Sequence, residues 1–225
     1  MKLSDQDIEA IARKIAADLG RDTAVQQATP LPAPRTAPVE TGLGVFASIN
    51  EAIQAAQKAF PVYTALPLQT RNRIIAAIRQ GMLENATALA KAAHEETGLG
   101  RFEDKIVKNQ LVAEKTPGTE HLFPESFSGD HGLTLCEPAP YGVIGAIAPC
   151  TNPTSTIICN ALGMLAAGNA VVFNAHPTAK RCSAQTVALL NKIITAHGGP
   201  VNVVTCTTTP TVESAQEMMK HPGIR

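Results

Sequence analysis

Cys150, Thr151 and Asn152 put a thiol, a hydroxyl and an amide on consecutive residues between two prolines, Pro149 and Pro153. They follow the apolar run VIGAIA at 143–148, which is bounded by turn residues and suits a strand buried on both faces of a parallel sheet. Pro153 suits the first turn of a helix, where its missing N–H would have no partner anyway. The loop between a parallel strand and its following helix is where open α/β sheets bind ligands. Thr151 and Asn152 can both donate hydrogen bonds there, although the commonest task of either residue before a helix is N-capping, here of a helix over 153–166. A second loop, Asn174-Ala175-His176-Pro177, presents a small neutral surface after the next apolar run. Taken alone it reads as a strand-to-helix turn in which Pro177 ends the strand.

The remaining reactive side chains do not gather. The five cysteines, Cys136, Cys150, Cys159, Cys182 and Cys206, are odd in number and irregular in spacing, which fits reduced thiols rather than a disulfide framework. Cys150, Cys159, Cys182 and Cys206 each read best as a small buried hydrophobe. Six histidines are scattered without an H-E-x-x-H or H-x-H arrangement, so no metal site is expected. The G-x-G-x-x-G fingerprint is absent, which removes the usual motif argument for a dinucleotide. Nineteen basic and nineteen acidic side chains cancel, so nucleic acid is not an expected partner. No apolar run approaches the ~20 residues of a membrane span, and Met1 precedes a charged amphipathic stretch rather than a signal-peptide core. The expectation is a cytosolic chain, and 44% apolar residues in 225 allow it to bury a core.

The two loops need a sheet to hold them side by side. The pattern over the carboxyl-terminal half alternates: strand 143–148, helix 153–166, strand 170–174, helix 178–196, strand 201–205, helix 211–220. Such alternation predicts an α/β fold with a parallel sheet. Three helices precede it as scaffold. One starts near Phe46, capped by Ser48 or Asn50, and ends before Pro61. A longer one runs from about Pro67 to the E-T-G-L-G turn at 96–100, and a third from Phe102 to Lys115 stops at Thr116-Pro117-Gly118. A strand at 133–137 faces the strand at 143–148 across the turn from Pro138 to Gly142. At the amino end, Ile8, Ile11, Ala12, Ile15 and Leu19 define an amphipathic helix over 4–19, with Ser4 and Asp7 at its start and Gly20 at its stop. Residues 21–41 contain Pro30, Pro32, Pro34 and Pro38 and read as a stiff linker. The domain expectation is therefore 1–20 helix, 21–41 linker and 42–225 folded body. Alone, the helix is a terminal extension or a packing arm for a neighbouring subunit.

Several ordered motifs agree with one family: A-P-C-T-N-P-T-S-T, A-A-G-N-A-V-V-F, the H-P pair, E-T-G-L-G at 96–100, K-T-P-G at 115–118 and M-M-K-H-P at 218–222. From about Gly42 to Arg225 the chain resembles the CoA-acylating aldehyde dehydrogenases, in particular the propionaldehyde and acetaldehyde enzymes of bacterial microcompartments. The resemblance implies a helical scaffold on a Rossmann-like parallel sheet, with NAD as cofactor and coenzyme A as co-substrate. It implies oxidation of a short-chain aldehyde to its acyl-CoA.

By the same resemblance, Ile147, Ala148, Pro149 and Cys150 fall on the first cofactor loop. Asn174, His176 and Pro177 fall on the second, with Asn174 where hydrolytic relatives carry a ribose-binding lysine and Pro177 where they carry a glutamate. Aligning Pro149 and Pro153 on the family's two prolines puts Thr151 where hydrolytic relatives carry their oxyanion-binding asparagine, with Asn152 one position off; either side chain could donate to an oxyanion, and Asn152 is preferred for its chemistry. A hairpin near 132–148 would pair subunits into a homo-oligomer. Residues 4–19 resemble an encapsulation peptide that docks on shell or core proteins, which implies a microcompartment in a bacterial cytoplasm. None of the five cysteines matches the family's nucleophile, which lies beyond Arg225, so the chain reads as an amino-terminal part, inactive alone. The alternatives are a packaging module whose working part is 4–19, and a hydrolytic aldehyde dehydrogenase, which Asn174 and Pro177 disfavour.

Overall fold

The computed structural model describes residues 41–225. The helix expected at 4–19, and all of the linker but its last residue, lie outside the described residues.

The described chain opens with a two-residue strand, β1 (Val45–Phe46), and helix α1 (Ile49–Thr64). Ser48 is the cap. Its hydroxyl accepts from the Glu51 N–H at 3.2 Å, and the Glu51 carboxylate accepts from the Ser48 N–H at the same distance. The helix does not end before Pro61 as the sequence suggested. Pro61 sits on the exposed side, while Tyr63 is fully buried and donates its hydroxyl to Leu165 O at 3.0 Å, which holds the last turn in place.

The expected long second helix is two helices, α2 (Leu68–Glu84) and α3 (Ala86–Thr97). Asn85 breaks it. Its backbone N–H and its side-chain amide both donate to Gly81 O, at 3.1 and 2.8 Å, so a local side-chain bond ends the first helix. Helix α4 (Phe102–Lys115) has the bounds read from the sequence.

A hairpin follows, β2 (Glu125–Gly129) paired antiparallel with β3 (Gly132–Cys136), every residue of it exposed. This corrects the expected hairpin near 132–148. Val143–Ala148 forms β4 of the main sheet and makes no pair with β3. The main sheet adds α5 (Pro153–Ala166), β5 (Ala170–Ala175), α6 (Lys180–Ala196), β6 (Val204–Thr207) and α7 (Val212–Lys220). Its strand order is β1-β6-β5-β4, parallel throughout, as the alternation predicted. The last strand starts later than expected because Asn202 takes the left-handed conformation, φ 67°, with its N–H held by Asn191 Oδ1 at 2.9 Å.

Helices α1 and α7 cover one face of the sheet and α5 and α6 the other, with α2, α3 and α4 packed outside α5 and α6. The core between them contains Phe173, Ile157, Leu162, Leu190 and Ile53, all fully buried. Gly145 lets α7 come close to β4. A Cβ there would stand 3.0 Å from Ile224 Cγ2 and 3.3 Å from Met218 Cγ, tighter than ordinary contact.

Candidate functional site

Strands β4 and β5 pair in parallel with Ile147 opposite Asn174 and Ala148 opposite Ala175, and the His176 N–H donates to Ala148 O at 2.9 Å. Their following loops therefore leave the sheet side by side, as an open α/β sheet requires of a ligand crevice. On this rim Ile147, Pro149, Thr151, His176 and Pro177 are exposed, Asn152 and Cys150 are half-buried, and Ala148 is buried. Cys150 packs against the small buried cluster of Ala93, Ala179 and Cys182. Pro177 does not end the strand. It opens a short 3₁₀ turn, Pro177–Ala179, capped by His176, whose Nδ1 accepts from the Thr178 N–H at 3.2 Å.

Asn174 does not join the rim. It is 3% exposed, its amide oxygen accepts from Ser214 Oγ at 2.6 Å, and its Nδ2 donates to Thr211 O at 3.2 Å. Thr211 and Ser214 are themselves the capping box of α7. The side chain expected on the cofactor surface is thus committed to the start of a helix, because the alternation of β5 turns it towards α7.

The loop after β4 is fixed from α4. Lys105 donates through Nζ to Thr151 O at 3.0 Å, and Lys108 to Asn152 Oδ1 at 3.1 Å. Buried Asn109 accepts from Thr154 Oγ1 at 2.9 Å and donates to Ala86 O at 3.1 Å, joining α3, α4 and α5. Lys105 is buried as well, and that burial, followed by the charge of Lys108, holds its ammonium below the ordinary lysine range. Asn152 occupies the position before α5 yet makes no side-chain capping bond, so its amide does not perform the N-capping expected of it. The sequence reading passed over Lys105, Lys108 and Asn109. Their i, i+3, i+4 spacing, which puts all three on one face of α4, was the available signal.

The E-T-G-L-G motif also has a structural task. Glu96 caps α6 by accepting from the N–H groups of Arg181 and Cys182, at 2.8 and 2.6 Å, and Gly98 closes α3 in the left-handed conformation at φ 65°. Burial, followed by the carboxylate of Glu96, pushes the Cys182 thiol up, and burial pushes that of Cys206 up to about 12. Neither thiol has the lowered pKa of a nucleophile. Among the described residues no group of three histidine, cysteine or acidic side chains could hold a metal, and no helix is long and apolar enough to cross a membrane.

Residues 29–225 match the aldehyde dehydrogenase family. The chain belongs to that family. It is 45% identical over 226 residues to the acetaldehyde dehydrogenase (acetylating) of Bilophila wadsworthia, covering all of this chain and 46% of that protein. Among solved structures, it is 52% identical, with a TM-score of 0.79, to the propionaldehyde dehydrogenase from the fucose-utilisation microcompartment of Clostridium phytofermentans. That match covers 81% of this chain and 42% of the other. It is 45% identical, with a TM-score of 0.80, to the Rhodopseudomonas palustris propionaldehyde dehydrogenase determined with bound CoA and an acylated cysteine, covering 82% of this chain and 43% of that one. The chain spans less than half the length of each of these proteins.

Proposed function

We propose that this chain works in a CoA-acylating aldehyde dehydrogenase, which takes a short-chain aldehyde, propionaldehyde or acetaldehyde, with CoA and NAD to acyl-CoA, NADH and a proton. The observation that carries the reading is the paired rim. Two neighbouring parallel strands deliver the P-C-T-N-P and H-P loops to one edge, joined by the bond from His176 to Ala148, in a chain close in sequence to acylating enzymes. The residues present fit the flat adenine ring shared by NAD and CoA: Ile147 offers an exposed apolar side chain, and Pro149, His176 and Pro177 stand exposed beside it. NAD, when bound, supplies the hydride acceptor. Asn174 contributes indirectly, by fixing α7 behind the rim. Asn152 and Thr151 bring donors to the loop where charge would develop on the aldehyde oxygen.

The assay is NADH formation from propionaldehyde by the native protein as its organism produces it, with and without CoA, and with the product identified by mass. CoA-dependent turnover giving propionyl-CoA supports the reading. Turnover to free propionate without CoA would replace it with the hydrolytic one.

Two partner proposals accompany it. Leu133 and Leu135 project from one face of a fully exposed hairpin and Phe127 from the other, and the leucine face is the kind of apolar surface that a second copy of the chain would cover. Sedimentation of Leu133→Glu as a smaller species than the parent is the expected result. Residues 4–19 carry the encapsulation-peptide pattern, and the Clostridium phytofermentans relative is described as a microcompartment enzyme. Deleting residues 1–20 is expected to abolish co-localisation with a shell inside the bacterial cytoplasm, and unchanged packaging would overturn that proposal.

A further inference from the structure

Side-chain amides have two ends. An asparagine just before a helix ordinarily turns its oxygen to the helix N–H groups, which aims its N–H₂ away from the start of that helix. Asn152 stands at that position with φ −135° and ψ 55° and makes no such bond. Its Oδ1 is instead taken by the ammonium of Lys108 at 3.1 Å, reaching across from a different helix 44 residues earlier.

We propose that Lys108 is a positioning residue for the aldehyde chemistry, selecting the amide orientation in which the Asn152 N–H₂ is the donor, while Lys105 anchors the loop backbone beneath it. The inference rests on the function proposed above. An ammonium carries only donors, so it can be satisfied by the amide oxygen alone; a flipped amide would set N–H₂ against –NH₃⁺. With the oxygen committed, Nδ2 must point away from α4, and among the described residues it has no protein partner.

The backbone is constrained in parallel. Lys105 holds Thr151 O at 3.0 Å, one residue before the amide, and Thr154 binds Asn109 at 2.9 Å, two residues after it. Lys105, Lys108 and Asn109 thus form a single face of α4 that fixes the loop on both sides of Asn152. A donor that stabilises a developing oxyanion is effective because it is already aimed before charge appears. The arrangement also separates the two candidates on this loop. Thr151 is held by its carbonyl, which constrains its backbone and leaves its hydroxyl free to rotate, whereas the Asn152 amide itself is oriented.

The test is steady-state kinetics of the native protein and its Lys108→Met, Lys108→Arg and Asn152→Ala variants, with saturating NAD and CoA and propionaldehyde varied. Losing an oxyanion donor outright costs about 10²–10³ in kcat, so misdirecting it through Lys108→Met is expected to cost about tenfold or more, with KM within about twofold. Lys108→Arg, which again offers only donors to Oδ1, is expected to restore most of the loss. Lys108→Met added to Asn152→Ala is expected to cost nothing further, because the first acts through the second. Should Lys108→Met fold poorly, Lys108→Gln replaces it: a neutral amide can accept either end of Asn152, and a partial loss of kcat is expected.

The inference is overturned if a folded Lys108→Met keeps parental kcat, if its defect lies in KM alone, or if it multiplies with Asn152→Ala. An inactive parent would instead overturn the proposed function, and this inference with it. The two failures are therefore distinguishable.

Discussion

Ser214 donates its hydroxyl to the amide oxygen of Asn174 across 2.6 Å, so the end of β5 and the first turn of α7 form one hydrogen-bonded unit. The amide's other end donates to Thr211 O in the same turn, so both ends of the buried Asn174 side chain are turned to α7.

Asn174→Ala is expected to destabilise the fold by about 0.5–1.5 kcal/mol, since it removes two hydrogen bonds to the start of α7 while the half-buried Ser214 hydroxyl can still donate to Thr211 O. The shift of the denaturant midpoint measures it. Asn174→Lys, which inserts the residue of the hydrolytic relatives, is expected to cost more, because an ammonium would replace a buried amide. A stable Asn174→Lys variant with tightened NAD binding would show instead that the position can reach the rim.

Glu96→Gln retains one acceptor for two N–H groups and removes the charge at the start of α6. A loss of about 1–2 kcal/mol is expected, with faster amide exchange confined to the first turn of that helix. Uniform loss across α6 would mean the carboxylate does more than cap.

Tyr63→Phe removes the bond to Leu165 O, but that carbonyl still accepts from the Gly168 N–H at 2.9 Å. The expected cost is therefore only about 0.5–1.5 kcal/mol by denaturant unfolding. A larger value would point to disturbed packing at the end of α1.

Cys206 should make stability fall in alkali. Its thiol is held protonated up to about 12 in the fold against an ordinary 9.0, so between those values the native state binds more protons than the unfolded one. Its contribution is full below pH 9 and is lost as pH rises towards 12. Cys206→Ala should flatten the stability profile over that interval, and an unchanged slope would assign the alkaline loss to other groups.

Local rules carried much of the fold. Helices α4 and α5 have the bounds that pattern and proline placement indicated, and the βαβ alternation gave the parallel sheet. The departures have separate causes. Asn85 divides a helix through its own side chain, which apolar periodicity does not register. Strand β2, Glu125–Gly129, has no buried face and so no alternation to detect. β1 is two residues long and exists through a partner near residue 206.

The site was legible as a place rather than as a set of roles. The loops at 149–152 and 176–177 lie where strand ends predicted, yet Asn174 faces inward because of residues 37 and 40 positions later. The spacing of Lys105, Lys108 and Asn109 shows that they share a face of α4, but not that their partners lie 44 to 46 residues away.

β1 pairs with β6 through Val45 and Cys206, and Thr205 and Thr207 bond back to Ala52 O and Ala47 O. The order of synthesis thus sets a waiting time. At about 5–20 residues per second, the early strand leaves the ribosome roughly ten to thirty seconds before its partner exists. Until β4, β5 and then β6 have emerged, the apolar side of α1 lacks part or all of the sheet on which it packs. A nascent chain arrested before residue 204 should therefore be markedly more protease-sensitive at 45–64 than one arrested well after residue 207.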